Sequence, residues 1–253
     1  NAKHEGDPCQ VKPCNTEFAI WSGPVIPDPA RNRILLPYTE IHRTIGSLGW
    51  RTVGGGIAVW TPGGRVVRPI ESPGTPAPTL MWTRDDVQYN AAWVAEGQTL
   101  YLYGEKLEFL TQHYLVARVK FADVLDESKW QYYTAAGTWS SNEDDAVGVF
   151  DGGAAGSTVF YNPYVGAYMA IYSAVFSNNV MYRVGSRPYG PWSNEALAFV
   201  GRAGWNGNTN YAGEAHPEYA QGTGQTQYVT YFHVTGFLRG DIPLVKVVFG
   251  PPA

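Results

Sequence analysis

Cysteine is nearly absent: Cys9 and Cys14, in "CQVKPC", are the only two among 253 residues. A metal site would need more ligands nearby, and His4 alone does not complete a tetrahedral set. A redox dithiol has two intervening residues and a helix after it, whereas this pair has four and precedes a strand-like run. A structural Cys9–Cys14 disulfide within an irregular segment 1–15 is the expectation, with a free pair as the alternative. A disulfide favours a secreted or cell-surface protein, because cytosolic thiols are kept reduced. Basic runs are also missing: 18 Lys and Arg against 22 Asp and Glu leave a net charge of −4, which excludes the electrostatic footprint of a nucleic-acid binder. No apolar run approaches the roughly 18 residues that cross a bilayer, so no membrane span is expected. The opening "NAKHEGDPCQ" has neither an initiator Met nor a signal-peptide apolar core. We therefore expect a chain processed or excised from something longer.

Aromatic and turn-forming residues are what the chain has in plenty: nine Trp, seventeen Tyr, 29 Gly and 18 Pro. Gly and Pro along the whole length interrupt helices and suit short strands joined by turns. Period-2 apolar runs recur in groups of four. "TEFAIWSGPVI", "RILLPYTEIHR", "GGGIAVWTP" and "RVVRPI" form the first group; "QYNAAWVAEG", "QTLYLYGE", "HYLVARVKFA" and "KWQYYTA" form the second. "GSTVFYNPYVG", "AYMAIYSA", "NVMYRVGS" and "EALAFVG" make the third, and "GEAHPEYAQG", "TQYVTYFHV" and "IPLVKVVFG" an incomplete fourth. Four similar meanders predict an all-β β-propeller filling residues 1–253 as one domain. A β-sandwich, the main alternative, would not need four similar sets.

In a propeller the innermost strand of each blade starts at one face, and the loops from second to third strands reach that same face. Inner-strand starts then supply Glu17, Tyr89, Asn90, Ser157, Thr158, Glu214 and His216. The loops supply Glu40, His42, Arg43, Glu105, Glu108, Ser173, Asn178 and Arg239. Glycoside hydrolysis needs two carboxyl groups, one as acid and one as base or nucleophile. Glu17 and Glu214 open the first and last visible blades and are the carboxylates this pattern favours. Alternation in "GEAHPEY" puts Glu214, His216 and Glu218 on one side of a strand, with Glu218 about 13 Å further along it at roughly 3.3 Å per residue. That places His216 to tune a carboxylate or orient a sugar hydroxyl, with a satisfied buried histidine as the alternative, and gives Glu218 a structural role. The acidic runs "NEDDAVGVFDGG" and "RDDV" read as solvated connections, and "VGGGIAV" as close packing rather than a phosphate loop.

The runs "SGPVIPDPARNRILLPYTEIHR", "GGGIAVW", "YLVARVKFADVLDESKWQYY", "RPYGPWS", "AHPEY" and "TGFLRGDIPLVKVVF" resemble a bacterial and fungal propeller family catalogued as a domain of unknown function, some members of which are endo-D-arabinofuranases. "RPYGPWS" is shared with wider five-bladed families acting on arabinofuranosides and xylosides. The resemblance covers the chain from about Thr16 onward. It implies a five-bladed propeller and an exported enzyme that hydrolyses furanosidic links with paired acids at an axial pocket. The chain departs from that pattern in having no recognisable first blade, where such families commonly place one acid.

Together these readings predict a glycoside hydrolase acting on a furanose-containing polysaccharide of arabinan or arabinogalactan type. A non-catalytic carbohydrate-binding propeller and a structural surface domain are the alternatives. Glu17 and Glu214 would be catalytic, with His216 as modulator. Asn90, Glu40, Arg43, Asn178 and Arg239 would bind hydroxyls, while Trp50, Trp205 and Tyr211 would stack on sugar faces. The partner is a polysaccharide or oligosaccharide; no cofactor is required, and an axial calcium ion would be compatible with the fold.

Overall fold

Alternating apolar and polar residues bounded by Gly, Pro, Asn and Asp become strands wherever the computed structural model describes the chain. It does so over residues 16–44, 50–69, 77–109, 111–153, 155–237 and 239–250, without the side chains of 16, 17, 43, 44 and 50. Cys9 and Cys14 lie outside the described residues.

The first sheet contains β1 (Thr16–Ser22), β2 (Ile26–Asp28), β3 (Arg33–Thr44), β4 (Trp50–Trp60), β5 (Val66–Val67) and β6 (Trp82–Thr83), ordered β1-β3-β4-β5 with β2 on β3 and β6 on β4. The second contains β7 (Ala92–Glu96), β8 (Thr99–Glu108), β9 (Thr111–Lys120), β10 (Gln131–Tyr133), β11 (Trp139–Ser140) and β12 (Gly148–Asp151), ordered β11-β10-β9-β8-β7 with β12 on β9. The third runs β13 (Ser157–Asn162), β14 (Ala167–Ser173), β15 (Asn179–Gly185) and β16 (Ala196–Val200) in sequence order. The fourth holds β17 (Tyr211–Ala215), β18 (Thr226–Gly236), β19 (Arg239–Asp241) and β20 (Leu244–Val248), with β17, β19 and β20 all on β18. Every described pairing is antiparallel and joins strands of one consecutive set, a pattern that a two-sheet sandwich does not produce.

The chain divides into two compact units, Asn1–Asn90 with Val119–Trp130, and Ala91–Arg118 with Gln131–Ala253. In the first, Asp28 is buried and holds two guanidinium groups, Arg31 at 3.1 Å and Arg33 at 2.8 Å, which brace the turn into β3. Asn32 closes that turn at φ 47°, a left-handed conformation Asn tolerates. Gly54 in "GGG" lies so near β6 that a Cβ would sit 2.4 Å from the Trp82 carbonyl oxygen, which is the close packing its sequence context implies. Trp130, at the end of "DESKW", is buried edge-on against Trp82 and Tyr89, and its indole N–H donates to the Val124 carbonyl at 3.3 Å.

In the second unit β14 is buried on both faces, and the period-2 rule divides its side chains between two cores. Tyr168, Ala170 and Tyr172 join Val94, Tyr101, Tyr103, Tyr114 and Phe150 of the second sheet. Met169 and Ile171 point the other way and join Ala215 and Val229 of the fourth. This continuous run, "AYMAIYS", packs the third sheet between its neighbours. At "RPYGPW", Trp192 bridges to Gly185 and covers it, the clasp-like role its position before the last strand of the set suggests.

Candidate active site

Contacts within the second unit gather the starts of β7 and β13 with the end of β17. The Ser157 hydroxyl reaches the Ala91 carbonyl at 3.5 Å, just before β7. Thr158 Oγ1 accepts the Ala215 N–H at 3.1 Å and so ties β13 to β17. Gly213 packs on Ser173 at the end of β14, where a Cβ would sit 2.7 Å from the serine Oγ.

Glu214 projects from β17 beyond an irregularity between Tyr211 and Glu214, where Ala212 adopts φ 54°. Such bulges re-aim side chains. The residue is exposed by surface area, yet protein packs around its carboxyl: Gly156, at φ +83°, lies where a Cβ would meet Oε1 at 2.6 Å. Only a residue with neither a Cβ nor a bias against positive φ leaves that room. Desolvation pushes the Glu214 carboxyl above the ordinary carboxylate range, and the nearby His216 opposes this more weakly.

A second carboxyl, Glu105, lies in β8 three residues before the strand ends. The Tyr114 hydroxyl, from β9, donates to Glu105 Oε1 at 2.9 Å. Burial raises Glu105, and the Tyr114 hydrogen bond only partly offsets it. The Tyr114 phenol is itself held well above its usual range, first by burial and then by Glu105, while Ser157 bonds to it and pulls the other way. Its ring stacks on Phe150 at 4.6 Å, and Phe150 stacks on Tyr172 at 5.9 Å. Tyr172 donates to Glu195 at 3.1 Å and accepts from Arg183 at 2.8 Å. Tyr114, Tyr172 and Arg183 thus all have fixed partners. Beside them His113 meets Asp151 at 2.6 Å, and Glu108 pairs with Lys106 at 2.8 Å in a groove bounded by Leu115, Val147 and Gly148.

The upward shift of Glu105 has a consequence for stability. An unfolded glutamate titrates near pH 4.3, and the folded value is higher. The advantage of the protonated form is therefore complete below the unfolded value and lost as pH rises through the folded one. Gln keeps the acceptor for Tyr114 without ionising. Thermal melts should show Glu105→Gln more stable than the parent at pH 8 and equal to it at pH 4; a gap independent of pH would contradict the assignment.

The other sequence-predicted residues fall as follows. In the first unit Glu40, expected in a loop, lies inside β3 opposite Ile20 and Gly54; it is fully buried and ion-paired to Arg68 at 2.9 Å. The strand continues past the expected turn because β3 pairs with β4 through Arg43. Asn90 donates to Thr39 Oγ1 at 2.6 Å and lies before β7, which starts at Ala92. The backbones of Glu17, Arg43 and Trp50 sit on β1, β3 and β4, while their side chains lie outside the described residues. In the second unit Asn178 Oδ1 accepts the Asn210 N–H at 3.1 Å, and Arg239 stands exposed on β19. Trp205 is 45% exposed, and Tyr211, 39% exposed, stacks one face on Phe232.

The expected strand through "GEAHPEY" ends at Ala215. Pro217 fixes φ and lacks an N–H, so a 3-10 turn follows over Pro217–Tyr219. Glu218 is consequently turned back beside His216, Oε1 to Nδ1 3.2 Å, instead of lying 13 Å along a strand at roughly 3.3 Å per residue. His216 Nε2 meets Thr230 Oγ1 at 2.8 Å. Among the described residues no group of three or more His, Cys, Asp or Glu side chains is arranged to hold a metal, and no helix is long and apolar enough to cross a membrane.

Residues 29–237 match the family described as Domain of unknown function (DUF4185). The chain belongs to the DUF4185 family. Among solved structures, a candidate hydrolase from Bacteroides ovatus is similar to this DUF4185 chain at TM-score 0.63 and 16% identity, over 88% of this chain and 56% of its own. A GH43_1 enzyme from Xanthomonas citri is similar at TM-score 0.50 and 14% identity, over 92% of this chain and 72% of its own. The DUF4185 chain thus spans little more than half the length of the Bacteroides protein. At these identities the likeness is one of fold, and with the four consecutive-strand sheets it makes the chain an all-β propeller with four blades among the described residues. The five blades implied by resemblance are one more than those residues contain. No curated protein matches the chain.

Proposed function

We propose that this DUF4185 propeller is a glycoside hydrolase acting on a furanose-containing polysaccharide of arabinan or arabinogalactan type, as the endo-D-arabinofuranase resemblance suggests. The observation that carries the reading is the pair Glu105 and Glu214, two carboxyls both raised by desolvation on one face of the second unit. A carboxyl with a raised pKa stays protonated nearer neutrality and is suited to proton transfer at a glycosidic oxygen. Glu214, exposed by surface area yet with protein packed around its carboxyl, is the proton donor. Glu105, oriented by Tyr114, is the second carboxyl, and the separation of such a pair sets the stereochemical outcome. His216 holds its place beside Glu214 through Thr230 and Glu218. Asn178 and Arg239 offer polar groups to hydroxyls, and the free faces of Trp205 and Tyr211 offer stacking surfaces. Glu17 keeps its sequence-based assignment as a carboxylate of the first blade. A secreted or cell-surface location accompanies a polymeric substrate.

Incubation with arabinan, arabinogalactan and xylan tests this. Oligosaccharides should be released from the arabinose-containing polymers. Binding without release, unchanged by Glu214→Gln, would replace the enzyme with a carbohydrate-binding propeller, and no binding at all would favour a structural domain.

A further inference from the structure

The loops from second to third strands in the last three blades share a feature unrelated to either carboxyl. Phe109 tips the β8–β9 hairpin and is fully exposed. Phe176 tips β14–β15 at 76% exposure, and Phe237 tips β18–β19 at 63%. The three tips belong to one face: Gly156 lies against Ala212 and Glu214 while Thr158 bonds Ala215, so β17 runs beside β13 in the same direction; Ser157 joins the start of β13 to Ala91 just before β7; and each second strand runs antiparallel to its inner strand. This is the face that carries Glu105 and Glu214.

Single exposed apolar side chains are ordinary on a protein surface. These differ in two ways. They recur at the equivalent position of three consecutive blades. Phe109 and Phe176 are also held at φ 55° and φ 54°, a left-handed conformation that a bulky side chain rarely adopts and that Gly or Asn would occupy more favourably. The sequence keeps large rings where folding alone would favour small residues.

Resting on the glycoside hydrolase reading, we infer that Phe109, Phe176 and Phe237 form a raised rim that stacks on sugar units of an extended polysaccharide outside the bond being cleaved. Each ring has hydrogen-bonding groups close by in the chain. Phe109 follows the Lys106–Glu108 pair, Phe176 precedes Ser177 and Asn178, and Phe237 is followed two residues later by Arg239. A ring with hydrogen-bonding neighbours suits a sugar, whose apolar face stacks while its rim of hydroxyls seeks partners. A membrane-binding face would instead present a continuous apolar surface flanked by cations.

The test is the triple variant Phe109→Ala, Phe176→Ala, Phe237→Ala. In a Glu214→Gln background, its retention in gels containing arabinan should weaken about tenfold, the scale of losing stacked rings. In the parent background, kcat/KM on the polymer should fall about tenfold while kcat/KM on a short aryl arabinofuranoside stays within about twofold. Equal losses on both substrates, unchanged retention, or absence of polymer binding by the parent overturns the inference. So does binding of the parent to phosphatidylcholine–phosphatidylserine vesicles that the triple variant loses. If the parent binds arabinan through these rings but releases no product, the hydrolase reading fails while the rim stands.

Discussion

Glu214→Gln is expected to lower oligosaccharide release from arabinan by about 10²- to 10⁴-fold, the contribution of a positioned general acid. The amide has the same shape and cannot donate the proton that the leaving oxygen needs. Because the side chain is exposed and its room is provided by the Gly156 backbone, the exchange leaves the packing of β17 intact. Polymer binding should therefore change little, and the loss should lie in kcat. Two further measurements distinguish an acid from a binding group. An aryl furanoside with a good leaving group needs less protonation, so its hydrolysis should suffer less than that of the polymer. The alkaline limb of the parent's pH profile, lying above the value near 4.3 of an ordinary exposed glutamate because the folded carboxyl is raised, should vanish in the variant. Equal losses on both substrates with an unaltered pH profile would remove Glu214 from the acid role.

Trp130→Ala is expected to destabilise the first unit by about 3–5 kcal/mol, the range for truncating a buried Trp to Ala. The indole is 1% exposed and edge-packed on two aromatic rings, Trp82 and Tyr89. Its loss opens a cavity that those rings cannot collapse into, since Trp82 is itself tied to Glu127 by a 3.0 Å hydrogen bond. It also removes the N–H donor to the Val124 carbonyl. Guanidinium unfolding followed by tryptophan fluorescence should show the midpoint moved down accordingly. The same substitution at Trp205, 45% exposed, should change stability by no more than about 0.5 kcal/mol. Comparable losses at the two positions would mean that burial does not set their difference.

The two tryptophans show what a linear reading can and cannot distinguish. The place of Trp130 at the start of the strand run "KWQYYTA" is legible from its neighbours alone. Nothing in "AGWNGN" shows that Trp205 stays exposed. Strand existence was legible for a similar reason: alternation and turn residues are local, and β13 through β16 follow their four sequence runs. "GEAHPEY" misled because the alternation rule was extended across Pro217, where the lost N–H and fixed φ end the ladder. Glu40 misled because strand length is set by the partner strand, and β4 pairs with β3 through Arg43.

The carboxyl at Glu105 illustrates the remaining gap. Its place near the end of a second strand was visible, but its chemistry comes from Tyr114, nine residues away in sequence, and from Ser157, which bonds that phenol across to the next blade. By itself the sequence determined the blade repeat and the fold class, because these follow from local periodicity. The tertiary structure alone decided which carboxyls are desolvated and which, like Glu40, are bound to an arginine, because desolvation and ion pairing depend on distances between strands that local periodicity does not contain.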